Sequence, residues 1–223
     1  MTASPSSAST RVVLRPLATP LPLGFLALAL ATTVFAALQL GWIPPDQGRV
    51  AAITALAATV PLQFAASVIG FLARDPVAAT GMGVLTGTWA TVGLTTLTSP
   101  PGSTSAGLGV VLVTAGLAMF VPAVSGLAKL AGAAVMGLAG VRFLVTGLYE
   151  LEGTPAWKAA AGWVGLALAV LAFYAALALE LEASHGHTIL PVGRSGPAAE
   201  AVRGEAPMAA GDLAAEAGVR PQL

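Results

Sequence analysis

One charged side chain stands deep inside the apolar runs of this chain, and it is Arg142. On a helix over residues 130–149 it lies about 18 Å from one end and about 11 Å from the other, at roughly 1.5 Å per residue. Placing a guanidinium at such depth in a bilayer costs about 2.5–3.5 kcal/mol on insertion scales. Thr146 and Tyr149 follow at i+4 and i+7 on the same face, with Glu150 one position round. A guanidinium presents paired donors that match a carboxylate, so one reading makes Arg142 an anion attractor at the outer mouth of a passage. The other makes it a structural residue, satisfied by helix-end carbonyls or by Glu150 at the interface.

Weaker candidates surround it. Gln63 follows Pro61 by two residues, and a proline inside a helix kinks it and frees a carbonyl one turn earlier. Gln39 lies close to the end of its run. Thr80, Thr86, Thr88 and Thr91 share a run with Gly83 and Gly87, whose i,i+4 spacing suits close helix contact. Gln63 with Thr80 or Thr91 could form weak stations along a passage. Equally, the threonines could bond back to their own helix. Pro61 and Pro122 fit either broken helices that meet a substrate or static packing kinks.

What is missing narrows the chemistry. No Asp or Glu falls in the middle of an apolar run, so the usual buried proton-carrying carboxylate is absent. There is no HExxH, nucleophile elbow, glycine-rich nucleotide loop or carboxylate pair, and no enzyme activity is expected. His185 and His187 stand together after the last run with no third or fourth ligand nearby. A loop or cap role fits them better than a metal site, and no cofactor is expected. With no Cys, thiolate chemistry is excluded.

The elements that must position these residues are six apolar runs, near residues 21–41, 49–73, 76–97, 106–127, 130–149 and 155–182. Only 9% of the chain is Asp, Glu, Lys or Arg, against about 25% in an ordinary soluble domain. Mean hydropathy is +0.84. Such a chain cannot cover a water-facing surface. Net charge is zero with no basic cluster, which leaves nucleic-acid binding without its electrostatic footprint. About 20 apolar residues span a bilayer as a helix. The last run has an explicit start, Thr154 then Pro155, and Trp157 at interfacial depth. Glu180 and Glu182 mark its return to water, and Pro191 forbids a long continuation. Asp75-Pro76 repeats the cap-then-proline start.

The fold class expected is an all-α polytopic membrane protein with six transmembrane helices over residues 19–193. Residues 1–18 read as a disordered tail and 194–223 as a flexible one, with a weak helix around 208–217. Six spans put both tails on one side. That side carries Arg11, Arg15, Arg74, Lys129 and Arg194, and the opposite loops only Arg49 and Lys158. The positive-inside rule places both termini in the cytoplasm and the protein in the plasma (inner) membrane.

The two ends of the bundle carry a resemblance. Thr19-Pro20-Leu21-Pro22-Leu23-Gly24-Phe25 is similar to the Asn-Pro-Ala-Pro-Leu-Gly-Leu signature of the acetate uptake transporter (AceTr) family, matching at Pro20, Pro22, Leu23 and Gly24. Gln63, Ala66, Phe71, Thr80 and Trp89 fall on that family's pattern across helices 2 and 3. Gly70, Asp75 and Leu85 depart from it, standing where the family has Glu, Asn and Tyr. Leu190-Pro191-Val192-Gly193 resembles its closing segment. The resemblance implies an AceTr-like protomer, a hexameric ring, and a route for acetate-like monocarboxylates or succinate. It also implies a narrow apolar constriction on helix 1, near Leu23 and Phe25, to which the helix 3 position of Leu85 contributes. Proton-coupled symport and channel-like passage both stay open.

Taken together, the expected function is passage of a small organic anion or its neutral acid. Arg142 would draw it in, Gln63, Thr80 and Thr91 would bind it weakly, and Phe25 would narrow the way. A non-transporting oligomeric membrane scaffold, or a transporter of a different small solute, is the alternative.

Overall fold

A computed structural model describes residues 17–195 of the chain. Six helices in it are long and apolar enough to cross a bilayer. They are α1 (Leu21–Gln39), α2 (Pro45–Leu72), α3 (Pro76–Thr98), α4 (Ala106–Ser125), α5 (Leu130–Glu152) and α6 (Pro155–His185). The only extended pairing among the described residues is an isolated bridge between Lys129 and Arg194. The protein is a polytopic all-α membrane protein.

The helices close into a ring. Packing neighbours run α1, α6, α5, α4, α3, α2 and back to α1. The seam between α4 and α5 shows how the approach is made. A Cβ on Gly116 would lie 2.9 Å from the Gly140 carbonyl, and one on Gly140 would lie 2.8 Å from the Gly116 carbonyl. Gly109 and Gly147 repeat the arrangement one heptad away. In lipid, where tails are as apolar as side chains, such backbone contact is what holds helices together. The Gly83/Gly87 face suggested by spacing is different. Gly83 meets Ser67, but nothing approaches Gly87 within 4 Å.

Helix ends follow local chemistry. The first apolar run reaches Gly41, yet α1 stops at Gln39 because Gly41 takes φ +72° and Trp42 N–H bonds back to the Ala37 carbonyl at 2.9 Å. Asp75 caps α3 by accepting from Ala78 N–H at 3.0 Å. Thr154 has the extended backbone of a cap, but its hydroxyl makes no capping bond. Neither internal proline breaks its helix. Before Pro61 the chain takes a wide π turn over Ala55–Thr59, in which Val60 N–H reaches the Ala55 carbonyl. That turn absorbs the ring that would clash in a regular helix. Pro122 stays within a continuous α4.

At the end of the bundle where the described chain starts and finishes, hereafter the near end, a strap follows α6. Gly186 ends the helix at φ +72°, so α6 outlasts both carboxylates that were expected to meet water. Glu180 is exposed, but Glu182 is buried and pairs with Arg194, with Thr188 donating to it at 2.8 Å. Glu182 is therefore a structural anchor. The strap then supplies carbonyls to the free first-turn amides of α5: Leu130 N–H bonds Gly193 O at 3.1 Å and Ala131 N–H bonds Val192 O at 3.0 Å. Gly193 has φ +64°, and a Cβ there would lie 2.6 Å from Leu130 Cβ. Of the tails expected over residues 1–18 and 194–223, residues 1–16 and 196–223 lie outside the described residues, the span around 208–217 among them; Arg194 and Ser195 belong to the strap, bonded to Glu182 and to the Ala128 carbonyl.

Replacing Glu182 with Ala strands the Arg194 guanidinium, whose side chain is only 16% exposed. Breaking a fully buried pair costs about 3–5 kcal/mol, and this partly covered one should cost less. The expected result is a lower unfolding midpoint in detergent, with part of the loss recovered in Glu182→Ala/Arg194→Met. A single variant that melts with the parent would show that the strap adds no stability. Gly193→Ala should also lower the midpoint, through φ and the Leu130 clash together.

Candidate functional site

The side chains facing the ring axis come from regular stripes. On α1, Phe25, Leu28, Thr32, Phe35 and Gln39 recur at alternating three- and four-residue steps, which puts them on one helix face. The first three are fully buried, Phe35 is 9% exposed and the Gln39 Oε1 atom is buried. On α5 the corresponding stripe carries Arg142, Thr146 and Tyr149.

Arg142 is 2% exposed. Its Nη1 donates to Thr146 Oγ1 at 2.6 Å, and that hydroxyl donates in turn to the Arg142 carbonyl at 2.7 Å. Its Nε is buried without a hydrogen-bond partner. Among the described residues no carboxylate forms an ion pair with it. Glu150, one of the two kinds of partner the structural reading offered, instead accepts from Ser105 N–H at 2.8 Å. The guanidinium lies over α6 at Gly165, where a Cβ would come within 2.8 Å of Arg142 Nε and 3.1 Å of Ala36 Cβ. Gly165 is what gives the charge room inside the ring.

Space opens on both sides of a closed middle. At the far end a cavity of about 510 Å³ is bordered by Gln39, Asp46, Arg49, Tyr149, Glu150 and Lys158 among others. It shares Phe35 and Gln39 with a chamber of about 20 Å³ whose wall also includes Trp89, Arg142, Phe143 and Thr146. About 10–15 Å³ on this measure holds one water. The floor is aromatic: Trp89 lies 5.5 Å from Phe35 and 6.0 Å from Phe143, ring centre to ring centre. Phe25, Leu28, Met82, Leu85, Met119 and Met136 are all buried in the core. A smaller cavity of about 80 Å³ lies at the near end, walled by Leu21, Asp75, Lys129, Gly132 and Met136 with others. There Lys129 Nζ is 3.3 Å from Asp75 Oδ2.

The residues singled out by sequence divide into two groups. Pro20, Pro22, Gly24, Phe25, Gln63, Leu85 and Arg142 are buried. Gln63 Nε2 reaches the Gly24 carbonyl at 3.5 Å and its Oε1 has no partner; Thr59 donates to Ala27 O at 2.9 Å just above. The π turn thus aims two polar side chains of α2 at the backbone of α1. Phe25 points toward Gly132 of α5, and Met82 fills the space that a side chain at Gly24 would need. The others stay off the axis. Thr80 is exposed, Leu23 is 37% exposed, and Thr91 donates to its own helix at Gly87 O, 2.9 Å away. Gly70, the departure from the family's Glu, lies against α3, where a Cβ would be 2.7 Å from Ala79 N.

Thr32, Phe35, Phe143 and Gly165 were missed. The alternating stripe on α1 was a usable signal for the first two, since it continues the spacing of Phe25. No pattern within α6 points to Gly165, because its role is to face a residue of another helix. Trp89 entered only through a family pattern. Here its Nε1 is buried with no partner, as is Thr32 Oγ1.

The sequence matches no protein-family model and no curated protein. Among solved structures the fold is similar to that of the bacterial acetate channel SatP. The similarity covers 80% of this chain and 100% of that one, with a TM-score of 0.68 and 23% sequence identity. It establishes a shared fold.

Proposed function

We propose that this protein passes a small organic anion, of the acetate-like monocarboxylate or succinate class, along the axis of its helix ring. One observation carries the reading. A buried guanidinium with no protein carboxylate borders a chamber that meets the far-end cavity through shared walls. Leaving such a charge uncompensated is strongly destabilising, and anionic cargo would supply the missing partner. The fold shared with an acetate channel supports the same class of cargo, as does the resemblance to the acetate uptake transporter family at residues 20–24 and 190–193.

In this reading the anion enters from the far cavity, meets Arg142 and Trp89, and passes Phe35, Phe143, Leu85 and Phe25 toward Gln63 and the near-end cavity. Every station must bind weakly or flux stops. Arg74, Lys129 and Arg194 at the near end, against Arg49 and Lys158 at the far end, support a cytoplasmic near end. A homohexameric assembly and coupling to protons are the further elements of the proposal.

Uptake of radiolabelled acetate, lactate and succinate into proteoliposomes, with and without an imposed pH gradient, tests it. Flux above protein-free vesicles is expected, with a gradient dependence only if protons are coupled. Absence of flux for all three would leave the scaffold reading. Arg142→Met should lower uptake at sub-saturating solute by roughly tenfold or more, the scale of one charged hydrogen bond, while the protein still folds. Gly165→Val should act in the same direction by displacing the guanidinium, without removing any polar group. Unchanged uptake in both variants would make Arg142 a packing residue.

A further inference from the structure

At the near end an ion pair borders a cavity. Lys129 Nζ lies 3.3 Å from Asp75 Oδ2, and both residues wall the recess of about 80 Å³. The two partners are held differently. Asp75 Oδ1 accepts from Ala78 N–H at 3.0 Å, which fixes the carboxylate to the first turn of α3. Lys129 is anchored by its backbone: its N–H donates to the Gly126 carbonyl at 2.8 Å, and its own carbonyl accepts from Ala133 N–H at 3.1 Å. Its head is a three-donor ammonium on a flexible four-carbon stem. The Lys129 side chain is 39% exposed and that of Asp75 18%. A pair this open to water biases an equilibrium by no more than about fivefold. It is therefore exchangeable. The neighbouring Glu182–Arg194 pair is more deeply covered and has Thr188 as a third member.

Behind the pair the recess is apolar. Leu21, Val77 and Met136 form its wall together with Gly126 and Gly132. A Cβ at Gly132 would lie 4.0 Å from Phe25 Cζ, so the buried Phe25 ring stands next to this wall. The volume exceeds the space for one water several times over. One ammonium at the rim of an apolar recess matches a carboxylate carrying a short alkyl group, with the head at Lys129 and the alkyl part against Leu21, Val77 and Met136. We propose that the Asp75–Lys129 pair is the near-end gate of the ring: at rest it closes the mouth, and a short monocarboxylate opens it by taking Lys129 from Asp75. Lys129 is then a second residue that binds the cargo. A dicarboxylate is disfavoured, because its second charge would meet Asp75 or be buried against the apolar wall without a partner. The gate rests on the reading that the ring passes an anion, and adds where that passage is latched.

The chain has no Cys, so Ala133→Cys, in the wall of the recess, gives the full-length protein a single thiol behind the gate. In detergent, its labelling by a neutral methanethiosulfonate is timed in sodium chloride and in sodium acetate at equal ionic strength. Acetate should raise the rate by about twofold to fivefold, the range that opening an exposed pair allows. In the same background, Asp75→Ser keeps a cap on α3 but is too short to reach Lys129. Both Asp75→Ser and Lys129→Met should raise the rate in chloride by a similar factor and remove the further effect of acetate. The two substitutions change the local charge in opposite directions, so acceleration by both reports access rather than ionisation of the thiol. Val77→Cys replaces Ala133→Cys if that variant does not fold. A rate in chloride that either substitution leaves unchanged, or an acetate effect that survives Lys129→Met, overturns the gate. Acceleration by succinate equal to that by acetate overturns the monocarboxylate limit. Flux in proteoliposomes, with labelling that ignores both Asp75 and acetate, would sink the gate alone. Labelling that responds to both, without flux, would sink the transport reading alone.

Discussion

A guanidinium held out of water without a carboxylate is the constraint on which the centre of this protein depends. Lipid cannot hydrate Arg142, so the six helices must enclose it, and the enclosure must leave donors exposed to something other than hydrocarbon. The ring solves the first half. Glycines on α4 and α5 bring those helices to backbone contact, and Gly165 on α6 opens a slot where the side chain lies. The single Thr146 hydroxyl satisfies one Nη1 hydrogen and no more. The Arg142 Nε stays buried without a partner.

The same logic separates what holds the bundle from what lies along its axis. Polar groups that serve structure are fully engaged. Ser67 donates to Ala79 O at 2.7 Å, Thr59 to Ala27 O at 2.9 Å, and Glu182 is held by Arg194 and Thr188. Polar groups along the axis are not: Gln39, Thr32, Gln63, Trp89 and Arg142 each keep a buried atom without a partner. Native interiors satisfy nearly all such atoms. These exceptions cluster in the interior of the bundle, and on the transport reading a passage that is wetted in turn would account for them.

Much of the fold was legible because hydropathy and helix punctuation are local. Six runs, a capping Asp75 before Pro76, and Arg142 as the one charge at depth all read directly from residue type and spacing. Contacts between helices were less accessible. Gly83 and Gly87 have the spacing of a contact face, yet only Gly83 is used, while the α4–α5 seam rests on glycines seven apart. Thr80 and Thr91 look like stations by composition but face outward or bond to their own helix. Hydropathy treats Glu182 as an exit signal, although Arg194, twelve residues on, makes it an anchor. Each failure has one origin: a side chain's neighbour across the bundle is set by helix rotation, which sequence spacing within a single helix does not fix.

The distribution of unpartnered atoms bears on direction. Arg142 Nε and Trp89 Nε1, both donors, lie near mid-bundle together with the Thr32 hydroxyl; closer to the near end lies the Gln63 carbonyl oxygen. An ionised carboxylate gains at the first pair and finds little at Gln63, where a protonated acid or a water would be the better partner. The buried side chains of this middle are mostly apolar and aromatic, among them the methionines Met82, Met119 and Met136, which repack with little penalty. A solute crossing this middle leaves a cationic site for a neutral one. On the transport reading, the far half favours the charge and the near half its neutralised or hydrated form. On that reading, any change of protonation would fall at the aromatic floor beneath Arg142, below which no cationic side chain lines the route before Lys129 at the near-end cavity.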